Sequence, residues 1–331
     1  MDYSSLPKVE LHLHLDCSVS YALARQLQPG LSKKEYEATF IAPPKCKDLA
    51  DFLKRAVRGF ELLQSPQALR IATLELMEEL SLEKVIYAEI RFAPLLHTRG
   101  GLSGAAVVES VLEALEEGQR TQNVKAGLIL CTLRRFNAAQ SMATARLAQR
   151  YYGQGVVGFD IAGDEAGFEL APHIPAFQYV HEKGIPATAH AGEARGPESV
   201  LQSLDHLHLS RIGHGVRITE DQRVLDRVQE AGLHLEICPT SNIQTDIYDT
   251  LHGHPIDQLL KAGFPLSINT DGRTLVNVSL SEEYRRIASA FHWSAEEYLL
   301  TLGAAVNAAF TTEEVKSELR RQINSAWPND S

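Results

Sequence analysis

Cysteine is scarce in this chain of 331 residues: Cys17, Cys46, Cys131 and Cys238 are the only four, and no two stand at CxxC spacing. That pattern fits neither a disulfide framework nor a cysteine-ligated zinc site, so four reduced thiols are expected. Positive charge is also in deficit, with 32 Lys and Arg against 42 Asp and Glu and a net charge of −10. The basic residues are dispersed, so no stripe is available to neutralise a phosphate backbone, and nucleic acid is not an expected partner. Long apolar runs are absent too, none approaching the roughly 18 to 20 residues of a membrane span. The opening "MDYSSLPK" has neither a basic n-region nor an apolar h-region; the expected location is therefore the cytoplasm. No Gly-rich phosphate loop, short repeat or low-complexity linker interrupts the chain. With 44% hydrophobic and 22% charged residues, the composition is that of an ordinary globular protein, and a single domain over 1–331 is expected.

What the sequence does contain is a recurring alternation. Eight short β-rich runs stand out: "VELHLHL" (9–15), "VIYAEIRF" (85–92), "KAGLILCTL" (125–133), "GVVGFDIAG" (155–163), "IPATAH" (185–190), "LSRIGHG" (209–215), "GLHLEIC" (232–238) and "FPLSINT" (264–270). Amphipathic segments such as "AAVVESVLEALEEGQR" and "EDQRVLDRVQEAG" lie between them, and several end in Gly, as helix C-termini do. Eight strands separated by helices predict a (β/α)8 barrel, with extra helices inserted after the first strand over about residues 20–82. The final "TTEEVKSELRRQINSAWPNDS" predicts a terminal helix and a short frayed tail. In such a barrel, chemistry is expected at the C-terminal ends of the strands.

His12 and His14 stand two apart on the first run, so both side chains face one side of a strand. Alone, such a pair is equally two hydrogen-bonded histidines at a polar barrel mouth. His190 ends the fifth run, His214 the sixth and Asp271 the eighth, however, and five such groups at strand ends point to a shared centre. Imidazole nitrogen and carboxylate oxygen are ordinary zinc ligands, and a bound cation makes hydroxide available near neutral pH. Glu193, in "HAGE", is placed to give or take protons, where the alternative is a solvated surface carboxylate. Gly163, in "AGDE", offers a backbone N–H to a ligand or is simply a turn glycine. No lysine closely follows the fourth run to bridge two metals, so one metal per chain is expected. "EICPTSN" (236–242) lacks the PCxxC spacing of cysteine-ligated nucleobase deaminases, which excludes that architecture. The remaining histidines, His254 and His97 among them, read as surface or packing residues, His97 being singled out by its place just past the second run.

Taken in order, "KVELHLHLD" (8–16), "IRFAP" (90–94), "DIAGDE" (160–165), "HAGE" (190–193), "RIGHG" (211–215), "CPTSN" (238–242) and "NTD" (269–271) resemble the adenosine deaminase branch of the amidohydrolase superfamily. Each string is short, but the ordered set spans most of the chain. The resemblance implies one Zn2+ held by His12, His14, His190 and Asp271, with water attacking C6 of a 6-aminopurine and ammonia leaving. It further implies that Glu193 shares a proton with purine N1, that His214 together with Asp271 orients and stabilises the attacking hydroxide, that the Gly163 N–H meets purine N3, and that Asp16 bonds a ribose hydroxyl. Two positions depart from the family's pattern. Gly272 stands where an aspartate usually contacts purine N7, a contact for which water or Arg273 is the expected replacement. Cys17 stands where many relatives have glycine.

The expected partner is thus a small 6-aminopurine nucleoside, adenosine or 2′-deoxyadenosine first. 6-Aminodeoxyfutalosine, adenine and N6-methyl adenylate are rivals within the same chemistry. A purine- or zinc-binding barrel without turnover and a cyclic-amide hydrolase are alternatives outside it.

Overall fold

The computed structural model describes residues 2–326. Eight parallel strands alternate with helices: β1 (Lys8–His14), β2 (Val85–Phe92), β3 (Lys125–Leu133), β4 (Val156–Ala162), β5 (His190–Ala191), β6 (Arg211–His214), β7 (His234–Ile237) and β8 (Leu266–Ile268). They pair in the orders β1-β2-β3-β4 and β5-β6-β7-β8. Bridges between Phe159 and Ala187 and between Leu13 and Asp271 join the two halves, which closes the barrel. The last bridge is made by the candidate ligands' own backbone: His14 N–H donates to Asp271 O at 2.7 Å, and Asp271 N–H to His12 O at 3.1 Å. The expected (β/α)8 barrel is what forms, and each expected run contains or pairs as a strand. No helix among the described residues is long and apolar enough to cross a membrane.

The insert after β1 forms α1 (Tyr21–Leu27), α2 (Lys33–Phe40), α3 (Leu49–Leu62) and α4 (Pro66–Leu82). Each begins at a side-chain cap, namely Ser20, Ser32, Asp48 and Ser65, that accepts a backbone N–H from the first turn, satisfying a donor the helix cannot pair internally. The chain continues through α5 (Gly104–Thr121), α6 (Ala138–Tyr151), α7 (Ile174–Glu182), α8 (Pro197–His206), α9 (Gln222–Glu230), α10 (Pro239–Gln244), α11 (Ile256–Lys261), α12 (Leu280–Phe291) and α13 (Ala295–Ala308) to α14 (Glu313–Ala326). The expected terminal helix is α14; the expected frayed tail lies outside the described residues.

Strand periodicity divides β1 between two environments. Val9, Leu11 and Leu13 are fully buried in the apolar layer with helix residues such as Leu76, Met77 and Leu80. Glu10 and His12 are just as buried, yet they meet polar groups of other strands inside the barrel. Glu89, Arg91, Asp160, Arg211 and Glu236 join them there, all within 1% of full burial. The barrel interior is therefore a charged core, held by paired ions rather than by the branched aliphatic layers usual in this fold.

α3 crosses directly over the end of β1. At Gly59, in the last turn of that helix, a Cβ would stand 1.7 Å from the carbonyl oxygen of Asp16, so any side chain there must push the helix off the strand. In an open helix, Gly→Ala would stabilise by about 1 kcal/mol. Gly59→Ala is expected to do the opposite, costing about 1–3 kcal/mol as overpacking does, measured by denaturant unfolding. A variant as stable as the parent would remove the helix–strand contact from the account.

Candidate active site

A cavity of about 390 Å³ opens at the C-terminal ends of the strands. His14, Asp16, Cys17, Gly163, His190, Glu193, His214 and Asp271 line its inner part, and Phe52, Leu53, Val57 and Phe60 of α3 form an outer wall. His12 lies fully buried among these groups. All the predicted site residues except His12 and Gly272 therefore border the cavity.

The donor atoms converge. One ligand atom each from His12, His190, His214 and Asp271 lies within 4.8 Å of the others. His14 Nε2 stands 3.2 Å from His190 Nε2 and 3.5 Å from Asp271 Oδ1. His12 Nε2 is 3.5 Å from the same oxygen and is a buried nitrogen with no hydrogen-bond partner. A buried polar atom without a partner is costly, and a cation among these nitrogens and this carboxylate removes that cost. The donor set suits zinc: neutral imidazoles and an anionic oxygen. Burial depresses His14 to about 3, which favours the neutral form that a ligand needs.

The histidines are oriented from behind by residues that the sequence reading passed over. Nδ1 of His12 meets Glu236 Oε2 at 2.9 Å, and Nδ1 of His190 meets Asp160 Oδ2 at 3.2 Å. Opposite a carboxylate each Nδ1 carries the proton, which leaves Nε2 as the free lone pair. One guanidinium unites the two carboxylates, since Arg91 bonds Asp160 at 2.9 Å and Glu236 at 2.8 Å. Arg211 holds the other oxygen of Glu236 at 2.6 Å and also bonds Glu89. Burial alone would raise both carboxyls, but Arg91 and Arg211 keep Glu236, and His190 and Arg91 keep Asp160, well below the usual carboxylate range. The signal available in the sequence was acidic residues inside apolar strand runs, "FDIAG" and "HLEIC", each costly to bury unless paired.

Above the histidines stands Glu193, with its Oε2 3.7 Å from His214 Nε2. Burial first, then the charges of Asp271 and Glu165, push its carboxyl well above the ordinary range, which favours its protonated form. The loop that carries it is pinned by Glu165, whose carboxylate accepts the backbone N–H of Gly192 at 2.8 Å, Glu193 at 3.1 Å and Arg195 at 2.9 Å. Asp271 is fixed by the hydroxyl of Ser241 at 2.7 Å. Gly163 borders the cavity at φ +99°, a left-handed conformation that favours glycine. Asp16 is 8% exposed. Behind it, His97 donates from Nδ1 to Leu63 O at 2.8 Å and turns Nε2 toward Asp16 Oδ2 at 3.7 Å. His97 is thus a buried neighbour of the site.

The two departures from the family pattern prove to be neighbours. A Cβ on Gly272 would stand 2.4 Å from Cys17 Cβ and 3.0 Å from Cys17 O, so the cysteine side chain fills the space that a side chain at 272 would need. Arg273 does not replace the missing contact. It is 8% exposed, bonded to Glu10 at 2.8 Å and to Glu83, and points away from the cavity lining. Gly272→Ala is expected to cost about 1–3 kcal/mol through overpacking, and Cys17→Gly to recover most of that loss. A double-mutant cycle of unfolding free energies measures the coupling; additive effects would separate the two positions.

Comparison with known proteins gives a consistent picture. Residues 7–326 match the family model described as adenosine deaminase. The adenosine deaminase of Clostridium acetobutylicum is 34% identical over 327 residues, covering 97% of this chain and 98% of that protein. Among solved structures, Arabidopsis ADAL complexed with IMP superposes with a TM-score of 0.89 at 28% identity, covering 99% of each chain. An amidohydrolase from Burkholderia ambifaria with bound Zn superposes with a TM-score of 0.89 at 24% identity, covering 98% of this chain and 91% of its own; at that identity the likeness is one of fold.

Proposed function

This chain belongs to the adenosine deaminase family, and on that premise we propose that it is a zinc-dependent aminohydrolase converting adenosine and 2′-deoxyadenosine to inosine and 2′-deoxyinosine with release of ammonia. The observation that carries the reading is the convergence of the His12, His14 and His190 imidazoles and Asp271 beneath a buried Glu193 whose carboxyl is pushed well above the ordinary range. We assign His12, His14, His190 and Asp271 as the residues that hold one zinc ion. When bound, the ion lowers the pKa of a water, so that an oxygen nucleophile is available near neutral pH.

The remaining steps belong to the chain's own groups. The protonated carboxyl of Glu193 donates to purine N1, which draws electron density from C6 and makes that carbon electrophilic. His214, 3.7 Å from Glu193, donates to the attacking oxygen, and Asp271, fixed by Ser241, accepts that oxygen's proton and passes it to the C6 amino group, so that the C6–N bond breaks and ammonia leaves as the C6 carbonyl forms. The Gly163 N–H meets purine N3, and Asp16 accepts from a sugar hydroxyl. Gly272 makes room for the Cys17 side chain, which forms the wall facing the purine edge. In this reading the barrel acts as a single domain on small molecules. With its four cysteines as free thiols, the reading puts it in a reducing cytoplasm.

A second reading has one specific observation in its favour. Leu49, Phe52, Leu53, Ala56, Val57 and Phe60 form one apolar face of α3 along the outer cavity, spaced at helical intervals. Such a wall suits a 6-aminopurine nucleoside extended beyond its 5′ carbon, as 6-aminodeoxyfutalosine is. Steady-state rates on adenosine, 2′-deoxyadenosine, adenine and 6-aminodeoxyfutalosine, from one zinc-quantified preparation, decide between them. An adenosine spectrum unchanged over long incubation removes the leading assignment.

Glu193→Gln is expected to keep its zinc and lose about 10²- to 10⁴-fold in kcat; undiminished turnover would take Glu193 out of the mechanism. The same carboxyl makes a linkage prediction for the metal-free protein. Because its folded pKa lies above the ordinary 4.5, the folded state binds the extra proton, and stability falls as pH rises from that value. Metal-free Glu193→Gln should therefore be more stable than the parent at pH 7, with the difference vanishing below about pH 4, as followed by denaturant titration at several pH values.

A further inference from the structure

His254 lies just before α11, 3% exposed, with its ring edge-on to Tyr248 at 5.1 Å. Its sequence setting, "HGHPID", gives it no chemical partner. In the fold it begins a chain of hydrogen bonds whose polarity is set at one end. The backbone N–H of Ile256 points at His254 Nδ1 at 3.2 Å. A backbone N–H only donates, so Nδ1 is the acceptor and the ring carries its proton on Nε2. Burial holds His254 down to about 3, which keeps the ring neutral.

His254 Nε2 lies 3.2 Å from Asn242 Oδ1, where the ring N–H meets an oxygen. That contact fixes which way the Asn242 amide faces, for its NH2 then lies 3.2 Å from His214 Nδ1. An amide NH2 only donates, so His214 Nδ1 accepts and the His214 proton sits on Nε2. Nε2 is the nitrogen that faces Glu193. The imidazoles around the centre thus carry opposite tautomers. His12 and His190 face carboxylates through Nδ1 and keep Nε2 lone pairs, whereas His214 presents an Nε2–H. Proximity alone groups His214 with His12, His190 and Asp271, but a nitrogen that carries a proton has no lone pair to give a cation.

We infer that His254, acting through Asn242, is a positioning residue that holds His214 as the Nε2–H tautomer, making it a hydrogen-bond donor to the reacting oxygen and not a metal ligand. The donor's target rests on the reaction proposed above; the tautomer does not. A histidine held in the wrong tautomer by exchange of its oriented partner loses about 10⁴-fold in the serine protease triad, so the device has room for a large effect.

The test uses the zinc-loaded full chain labelled with 15N-histidine. Two-bond proton–nitrogen correlations report which nitrogen of His214 is protonated, without any substitution. The expected result is Nε2–H, and Nδ1–H overturns the inference whether or not any variant folds. Asn242→Asp replaces the donor with an acceptor. It should move the proton to Nδ1 and lower kcat by about 100-fold or more, with zinc content unchanged and KM within about threefold. His254→Gln can still accept from Ile256 and donate to Asn242, and should retain the tautomer and most of kcat, whereas His254→Phe should lose both. Parental kcat in Asn242→Asp, or equal losses in the Gln and Phe variants, would reduce His254 to a packing residue. If the parent turns over none of the 6-aminopurines, the proposed reaction falls, while the correlation spectrum still decides the tautomer.

Discussion

The fork of Arg91 is the interaction on which the centre of this barrel depends. One planar guanidinium reaches Asp160 and Glu236 at once, and those two carboxylates each grip the rear nitrogen of a histidine. The orientation of two imidazoles on strands β1 and β5, far apart in sequence, is thereby reduced to the geometry of a single side chain. Arginine suits the task because its fork is rigid and always charged, and lysine offers a point charge without fixed directions. Burying such a network has no guaranteed benefit to stability, since desolvation offsets most of the attraction, but loss of one member strands the others at about 3–5 kcal/mol. The gain lies in preorganisation: nitrogens and a carboxylate oxygen face one another before any ligand arrives.

The same centre is made of backbone as well as side chains. The bridge that closes the barrel runs through His12, His14 and Asp271, so the candidate ligands from the first and last strands are held in register by the hydrogen bonds that hold the fold together. Asp271 and His214 both sit at positive φ, 66° and 61°, a conformation that costs a residue with a Cβ about 1–3 kcal/mol. His214 ends β6 and Asp271 stands three residues past β8, where the turn directs the side chain over the barrel mouth. The strain, the orphaned Nε2 of His12 and the raised carboxyl of Glu193 all oppose stability at one spot. A charged core beneath and about a dozen helices around it supply what offsets them.

Much of this was legible in the sequence, for reasons that differ by element. The eight runs were visible because strands buried on both sides must be β-branched and apolar, and His12, His14, His190, His214 and Asp271 were visible because polar residues at the ends of such runs have little other purpose. Long-range partnership was not visible. Asp160 and Glu236 lie 69 and 145 residues from Arg91 along the chain, and nothing local tells an acidic residue in a strand which cation neutralises it. His254 read as packing because its hydrogen bonds run through an amide and a backbone N–H, neither of which has a sequence signature. Cys17 and Gly272 read as two separate departures, though they occupy one volume.

That shared volume bears on how the substrate side of such a site can vary while its metal side does not. A ligand position must satisfy a distance, a lone-pair direction and a supporting hydrogen bond together, and here each support is shared with another residue, so change at one member propagates to all. At Cys17 and Gly272 the constraint is one of shared volume, with Cys17 also facing the cavity. Enlarging one while shrinking the other conserves packing, leaves Asp271 and Ser241 undisturbed, and exchanges a polar wall for a thiol that burial, together with Asp16 and Asp271, keeps protonated. On the proposed reaction, the purine's outer edge then faces a weak donor in place of a carboxyl group. On the same proposed reaction, discrimination among 6-aminopurines shifts from that edge to the side of the cavity lined by Asp16 and the apolar face of α3. Specificity is a difference between competing substrates, and on the proposed reaction the groups able to create that difference are Asp16, just past β1, and the apolar face of α3 in the insert.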